Sequence, residues 1–358
     1  MTLLYITYID FGEFKSGSSV RPQMMYDAFL QLGWEVKLLQ TQHNKKEERR
    51  RAVAEINAWL DHNRPDFCYV ESPSGPIFQS CDWKLLKRVH SMGIPLGYFY
   101  RDAYFKFAHL FGQNNNKTLR EKVIAYLSNR DLKRLKTTAD LMYFPTETMA
   151  SYFDFPHTAP LPPACVGNLG DKRQQENLRK SIYVGGISKA YGSDTMLQAF
   201  DLLNPEGRVE YPLTIVCRET EVGYIESYRS RPWLTILHRS GKDNLKELYQ
   251  EANLALRPVE KNEYNDFAFS VKLTEYMEFG LPVVSVNTVE VEKFVQKNKI
   301  GLVCRDDPQD FAEKVREILG DSQVYAQYCR NVYEAVGNGN RWKDRAQTVI
   351  DDLSKRNR

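Results

Sequence analysis

The chain has 358 residues and a mass of 41.6 kDa, a length that suits about two domains. Apolar residues at 42% and charged residues at 27% match ordinary globular proteins, so disorder, collagen and low complexity are excluded for the chain as a whole. Its 49 Lys+Arg against 46 Asp+Glu leave a net charge of +3, without the domain-wide basic excess of a nucleic-acid binder.

Residues 3–9 are a short apolar run suited to a strand buried on both faces. Lacking a basic n-region and a small-residue cleavage site, this start reads as a strand and not as a signal peptide. The loop 12–19 follows, then a helix over 22–32 that Gly33 stops. Further strands are predicted at 35–39, 66–70 and 95–100, with helices at 46–62 and 82–92 between them. This β-α-β-α rhythm predicts a parallel, doubly wound sheet. Residues 158–167 read as a linker, because Pro160, Pro162 and Pro163 keep the chain extended. The rhythm then restarts, with strands at 181–184, 213–217, 234–238, 254–257, 283–286 and 301–304. Helices are predicted near 193–203, 243–251, 269–279, 308–319 and 322–336. The expected fold class is α/β, with two Rossmann-like doubly wound domains facing a cleft, at 1–163 and 164–340. A last amphipathic helix within 341–358 is expected to cross back to the first domain. No apolar stretch approaches the roughly 20 residues of a membrane span.

The cysteines at 68, 81, 165, 217, 304 and 329 are scattered, most of them inside apolar runs. They read as reduced thiols of a cytoplasmic protein. The histidines show no ligand spacing, so no metal site is predicted. No glycine fingerprint of a dinucleotide site, no P-loop and no Asp-x-Asp pair occurs. These absences count against dehydrogenases, P-loop kinases and metal-dependent transferases.

One stretch stands out, Ser-Val-Lys-Leu-Thr-Glu-Tyr-Met-Glu-Phe-Gly-Leu-Pro-Val-Val at 270–284. On a helix, Lys272 and Glu275 share a face, Gly280 ends the helix and Pro282 leads into a strand. The stretch resembles the signature Lys-Leu-x-Glu-Tyr-Met-x-x-Gly-x-Pro-Val-Val of the GT-B glycosyltransferases, most closely family 4, or group 1. Support comes from Tyr-Val-Gly-Gly-Ile at 183–187 with Gly192, from 245–258, and from Leu-Pro-Pro at 161–163. The resemblance covers most of the chain. It implies transfer of a sugar from a nucleotide diphosphate sugar, uridine-linked, to a saccharide or polyprenyl-diphosphate-linked acceptor. It also implies retention of configuration, no metal and no other cofactor, a donor-holding C-terminal domain, and a role in bacterial surface polysaccharide synthesis.

By the same resemblance, Glu275 accepts hydrogen bonds from the donor ribose, since a carboxylate offers only acceptor sites to a diol. The alternative is a solvated helix glutamate, which is also the reading of Glu278 on another face. Family members carry an arginine and a lysine where this chain has Gly186 and Tyr191, and Lys189 is out of register. Arg218 and Lys272, with backbone amides near Gly186 and Ser188, are the expected substitutes on the leaving diphosphate. Arg218 can instead pair with Glu219 or Glu221. His238 and Arg239 are expected to wall the base. Phe267 stands where the family has a first glutamate, with Asp266, Asn265 and Glu263 as neighbours that could serve. Asp266, Phe267, Ser270 and Leu273 complete the expected donor contacts.

On the acceptor side, Gly17 and Ser18 precede a helix, where backbone N–H groups can meet a phosphate or sugar, or simply form a turn. Arg101 and Asp102 end the fourth strand, and Asp102 is the candidate general base. The alternative is pairing with structural neighbours. His109 reads as a core histidine. Residues 1–163 carry a net charge of +4 and the rest −1. Seven basic residues interleave with apolar ones over 117–136, a pattern that can dock on an anionic membrane or simply form a solvated helix. The expected location is therefore cytoplasmic, peripheral to the inner face of the membrane. Two other classes stay open: a nucleotide-sugar 2-epimerase of the same fold, and a non-catalytic partner subunit.

Overall fold

The computed structural model describes residues 1–12, 17–42, 44–107 and 118–356, without the side chains of 17–19. His109 and Lys117 lie outside the described residues. The chain forms two compact units, Met1–Pro162 with Trp342–Arg358, and Pro163–Arg341.

In the first unit, strands β1 (Thr2–Thr7), β2 (Glu35–Gln40), β3 (Phe67–Glu71), β4 (Leu96–Phe99), β5 (Leu141–Phe144) and β6 (Thr158–Pro160) form one parallel sheet. Their order is β2-β1-β3-β4-β5-β6. The continuous apolar runs of β3, β4 and β5 are buried throughout, as a sheet covered on both faces requires. Two boundaries correct the sequence reading. The first helix begins at Gly17, so Gly17 and Ser18 belong to its first turn and not to a loop, and Pro22 sits inside it. Residues 158–160, expected in the linker, pair with β5 as an edge strand, where the missing N–H of Pro160 is tolerated.

The helix Trp342–Ser354 completes this unit. Gly97 on β4 gives it room: a Cβ there would stand 3.3 Å from Leu353. Asp352 accepts from Tyr143 Oη at 3.4 Å, and Arg345 Nε donates to the Pro162 carbonyl at 3.0 Å. The Arg21 guanidinium lies 3.5 Å from the Phe99 ring centre and 5.6 Å from that of Trp342.

In the second unit, β7 (Ser181–Val184), β8 (Leu213–Val216), β9 (Leu234–Leu237), β10 (Leu254–Arg257), β11 (Val283–Val286) and β12 (Gly301–Cys304) form a second parallel sheet. Its order, β12-β11-β10-β7-β8-β9, reverses between β7 and β10. The carboxyl ends of those two strands are the switch point where open α/β sheets bind ligands. Tyr183, Leu254, Leu256 and Val284 pack on one face with the helices Ser193–Leu203 and Pro308–Leu319. Ile182, Val184 and Ala255 pack on the other with Tyr276 and Phe279. A helix at Val289–Asn298, which the sequence reading lacked, contributes Val291 and Val295 to a core with Leu273, Met277 and Val283. All six cysteines are free, and five are buried.

Candidate functional site

β7 runs out into Gly185 and Gly186, then a turn at Lys189–Tyr191, then the helix Ser193–Leu203. Gly192 has φ +70°, and a Cβ there would stand 1.7 Å from the Pro258 carbonyl oxygen. Only glycine lets this loop close against the end of β10. A Cβ on Gly186 would stand 2.4 Å from the Tyr191 ring. The two positions that depart from the signature therefore form one fitted contact. Tyr183 Oη donates to the Gly186 carbonyl at 2.7 Å.

Two amides of this loop already have side-chain acceptors. Ile187 N–H donates to Glu221 Oε2 at 3.1 Å and Ser188 N–H to Ser193 Oγ at 3.1 Å. Glu221 Oε1 also accepts from Arg218 Nη1 at 3.1 Å. The side chain of Arg218 is 83% exposed, so the ion pair with Glu221 is the arrangement seen. Lys189 is exposed. His238 Nδ1 lies 3.1 Å from the Cys217 carbonyl at the end of β8, and Arg239 beside it is exposed.

The signature helix is Val271–Glu278. Lys272 Nζ meets Glu275 Oε2 at 2.6 Å, and Tyr249 Oη donates to the same oxygen at 3.2 Å. Oε1 takes no donor from the described residues. Burial, then the Glu275 charge, pushes the Tyr249 phenol far up, so it stays a protonated donor. Ser270 caps this helix without a side-chain bond.

Three expectations fail here, those for Leu273, Phe267 and Glu278. Leu273 is 1% exposed and belongs to the core with Met277 and Val283, so its side chain is no donor contact. Phe267 is buried with its ring 4.8 Å from that of Tyr264. Asp266 accepts from Val289 N–H at 3.1 Å and lies 3.4 Å from Lys261 Nζ, so it caps the following helix. Glu278 is buried and not solvated: it accepts from Val166 N–H at 2.6 Å and pairs with Lys242 at 2.5 Å. Apolar patterning alone hid it, because its face of the helix meets the Val166 backbone and not water.

Tyr249 and Arg257 were not anticipated. Tyr249 lies in a charged helix and supports Glu275 across 26 positions of sequence. Arg257 gives the clearer signal, an arginine as last residue of an otherwise apolar strand, followed by Pro258.

In the first unit, Asp102 Oδ1 accepts from Tyr104 N–H at 3.1 Å. Burial pushes its carboxyl above the usual range, against that amide and Arg101. Arg101 N–H donates to Ser72 Oγ at 3.2 Å, and burial lowers its guanidinium while Glu71 and Asp102 hold it up. Glu71, fully buried at the end of β3, accepts from Arg21 Nε at 2.9 Å and Tyr69 Oη at 2.7 Å.

The helix Leu119–Leu135 begins with a capping box between Thr118 and Glu121. Its basic residues divide. Arg130 pairs with Asp131 at 2.8 Å, Arg134 lies over the Trp83 ring, and Lys136 pairs with Asp154 at 2.5 Å. Arg120, Lys122 and Lys133 are exposed, as are the apolar Leu119, Val123 and Tyr126. Among the described residues no helix is long and apolar enough to cross a membrane, and no cluster of His, Cys, Asp and Glu is arranged to hold a metal ion.

Residues 170–335 match the family model of the glycosyl transferases group 1. No curated protein matches the sequence. Similar solved structures include sucrose-phosphate synthase from Thermosynechococcus elongatus, at 14% identity over 99% of each chain with a TM-score of 0.70. WaaG, a glycosyltransferase involved in lipopolysaccharide biosynthesis, is 16% identical over 99% of each chain with a TM-score of 0.62. Anabaena HepE in complex with UDP-glucose is 14% identical over 99% of this chain and all of its own, with a TM-score of 0.61. At these identities the structures establish the fold, GT-B. Residues 170–335 are thus similar to the glycosyl transferases group 1, and the fold of the whole chain is GT-B.

Proposed function

We propose that the chain moves a sugar from a nucleotide diphosphate sugar, uridine-linked, to a saccharide or polyprenyl-diphosphate-linked acceptor, with retention and without a metal ion, in bacterial surface polysaccharide synthesis. The observation that carries this reading is the group of Lys272, Glu275 and Tyr249 on the signature helix. A ribose diol brings two hydroxyl donors to Glu275 and displaces the Lys272 ammonium from it. The released ammonium then faces the diphosphate. Arg218 adds positive potential where the leaving group gathers charge only by leaving Glu221, since the Ile187 and Ser188 amides keep their internal acceptors. Asp102, its carboxyl raised by burial, orients or deprotonates the acceptor hydroxyl. Similar structures support a uridine donor, since HepE binds UDP and UDP-glucose.

The outward row of Leu119, Val123 and Tyr126 among Arg120, Lys122 and Lys133 supports reversible docking on an anionic cytoplasmic leaflet. Each exposed basic residue near such a surface contributes about 1 kcal/mol.

A thermal-shift panel with UDP, GDP, ADP and TDP, each with EDTA and with Mg²⁺, tests the donor reading. Stabilisation by one nucleotide, unchanged by EDTA, supports it and names the base. Absence of a shift with all of them overturns it.

A further inference from the structure

Three arginines in the described residues are almost wholly buried, and two of them have a carboxylate. Arg21 pairs with Glu71 at 2.9 Å and Arg49 with Asp82 at 2.8 Å. The third, Arg257, is 5% exposed and has none. Its Nη1 donates only to hydroxyls, Thr288 Oγ1 at 2.9 Å and Ser285 Oγ at 3.3 Å. Its Nε is buried without an acceptor among the described residues. The ionisable groups acting on it are the phenols of Tyr183 and Tyr276, both held protonated by burial. Burial without an anion draws the guanidinium down to about 10.

Such an arrangement is costly: an unpaired buried ion loses several kcal/mol of hydration, where a leucine would lose none. A buried cation with an open donor is explained by an anion that arrives with a ligand. Its place in the fold says which. Arg257 is the last residue of β10, beside β7, at the point where strand order reverses. Side chains alternate along a strand, so Arg257 stands on the same face as Ala255, which packs with Tyr276 of the signature helix. The start of that helix, at Ser270, lies two residues before Lys272 and carries no side-chain cap.

We infer that Arg257 is a binding cation for the diphosphate of the nucleotide donor, set beneath the signature helix and completed electrostatically only when the donor is bound. This rests on the donor reading above and adds to it a residue that no sequence signature marks. Thr288 and Ser285 hold the guanidinium in place through Nη1, and the phosphate supplies the counter-charge that these hydroxyls cannot.

The test is calorimetric titration of the full-length protein with UDP, UMP and uridine, with GDP, ADP and TDP alongside, using the wild type, Arg257→Gln and Arg257→Lys. The expected result is a loss of roughly ten- to a hundredfold in diphosphate affinity for Arg257→Gln, partial recovery in Arg257→Lys, and unchanged uridine affinity. A folded Arg257→Gln that keeps the wild-type preference for UDP over uridine overturns this inference and leaves the donor reading standing. A wild type that binds none of the nucleotides overturns both. If neither variant folds, a structure of the wild-type complex decides. A phosphate oxygen within hydrogen-bond distance of the guanidinium supports the assignment, and a diphosphate out of its reach overturns it.

Discussion

Replacing Glu275 by alanine separates recognition of the ribose from support of the fold. In the free protein its Oε2 holds two donors, Lys272 Nζ at 2.6 Å and Tyr249 Oη at 3.2 Å. A ribose diol offers two charge-assisted bonds, each contributing about 1.5–3 kcal/mol. The internal bond to Lys272 is given up in exchange, so the net loss in Glu275→Ala is about 2–3 kcal/mol, or roughly 30- to 150-fold in Kd. Stability falls less, by about 1 kcal/mol, because only the buried Tyr249 hydroxyl is left without its acceptor. The assay is calorimetry with UDP, 2′-deoxy-UDP and 3′-deoxy-UDP. Wild type should discriminate against the deoxy compounds, and Glu275→Ala should bind all three alike. A Glu275→Ala protein that keeps wild-type UDP affinity would refute the ribose assignment, whatever its melting temperature.

Glu278→Ala should cost about 1–3 kcal/mol of stability by stranding Val166 N–H and Lys242, read as a lowered Tm. Burial raises the Glu278 carboxyl above its usual 4.5, so the folded state holds that proton more tightly than the unfolded. Its contribution is then present at low pH and lost as pH rises through the raised value, and Glu278→Gln should flatten that slope in Tm just above pH 4.5. In the proposed base role Asp102 works only when ionised, so kcat should fall as pH drops through its raised value, above the usual 3.8. Asp102→Asn should lose that limb and most of the activity, by about 10²–10⁴-fold. Gly186→Arg, which restores the signature residue, should destabilise the protein against the Tyr191 ring, while the double change with Tyr191→Lys should recover Tm. Leu119→Ser with Tyr126→Ser should weaken flotation with anionic vesicles and leave nucleotide binding unchanged.

The sheet of the second unit was legible because its strands are continuous apolar runs between turn residues: β7, β10, β11 and β12 fall where patterning puts them. Lys272 and Glu275 were legible because three residues on a helix bring side chains together whatever lies around them. What patterning could not supply was long-range partnership. Glu278 looks like a surface glutamate until Val166 is brought to it, and Asp266 looks like a loop carboxylate until Val289 arrives. Leu273 and Phe267 were placed at the site by neighbourhood in sequence, whereas their side chains point into apolar packing. Helix starts were blurred for a local reason. Pro22 mimics a first-turn proline, yet the helix begins at Gly17.

The helix Trp342–Ser354 has a consequence for biosynthesis. It is made after the whole of Pro163–Arg341, yet it belongs to the unit that begins at Met1. At 5–20 residues per second, the first sheet waits on the order of ten to thirty seconds for the segment that covers Gly97 and Tyr143. The second unit is contiguous, while the first lacks until then the helix that packs on Gly17–Gln31 and on the end of β4. Expression of residues 1–162 alone therefore leaves the seat of that helix bare, and an isolated N-terminal unit needs 342–354 joined to it.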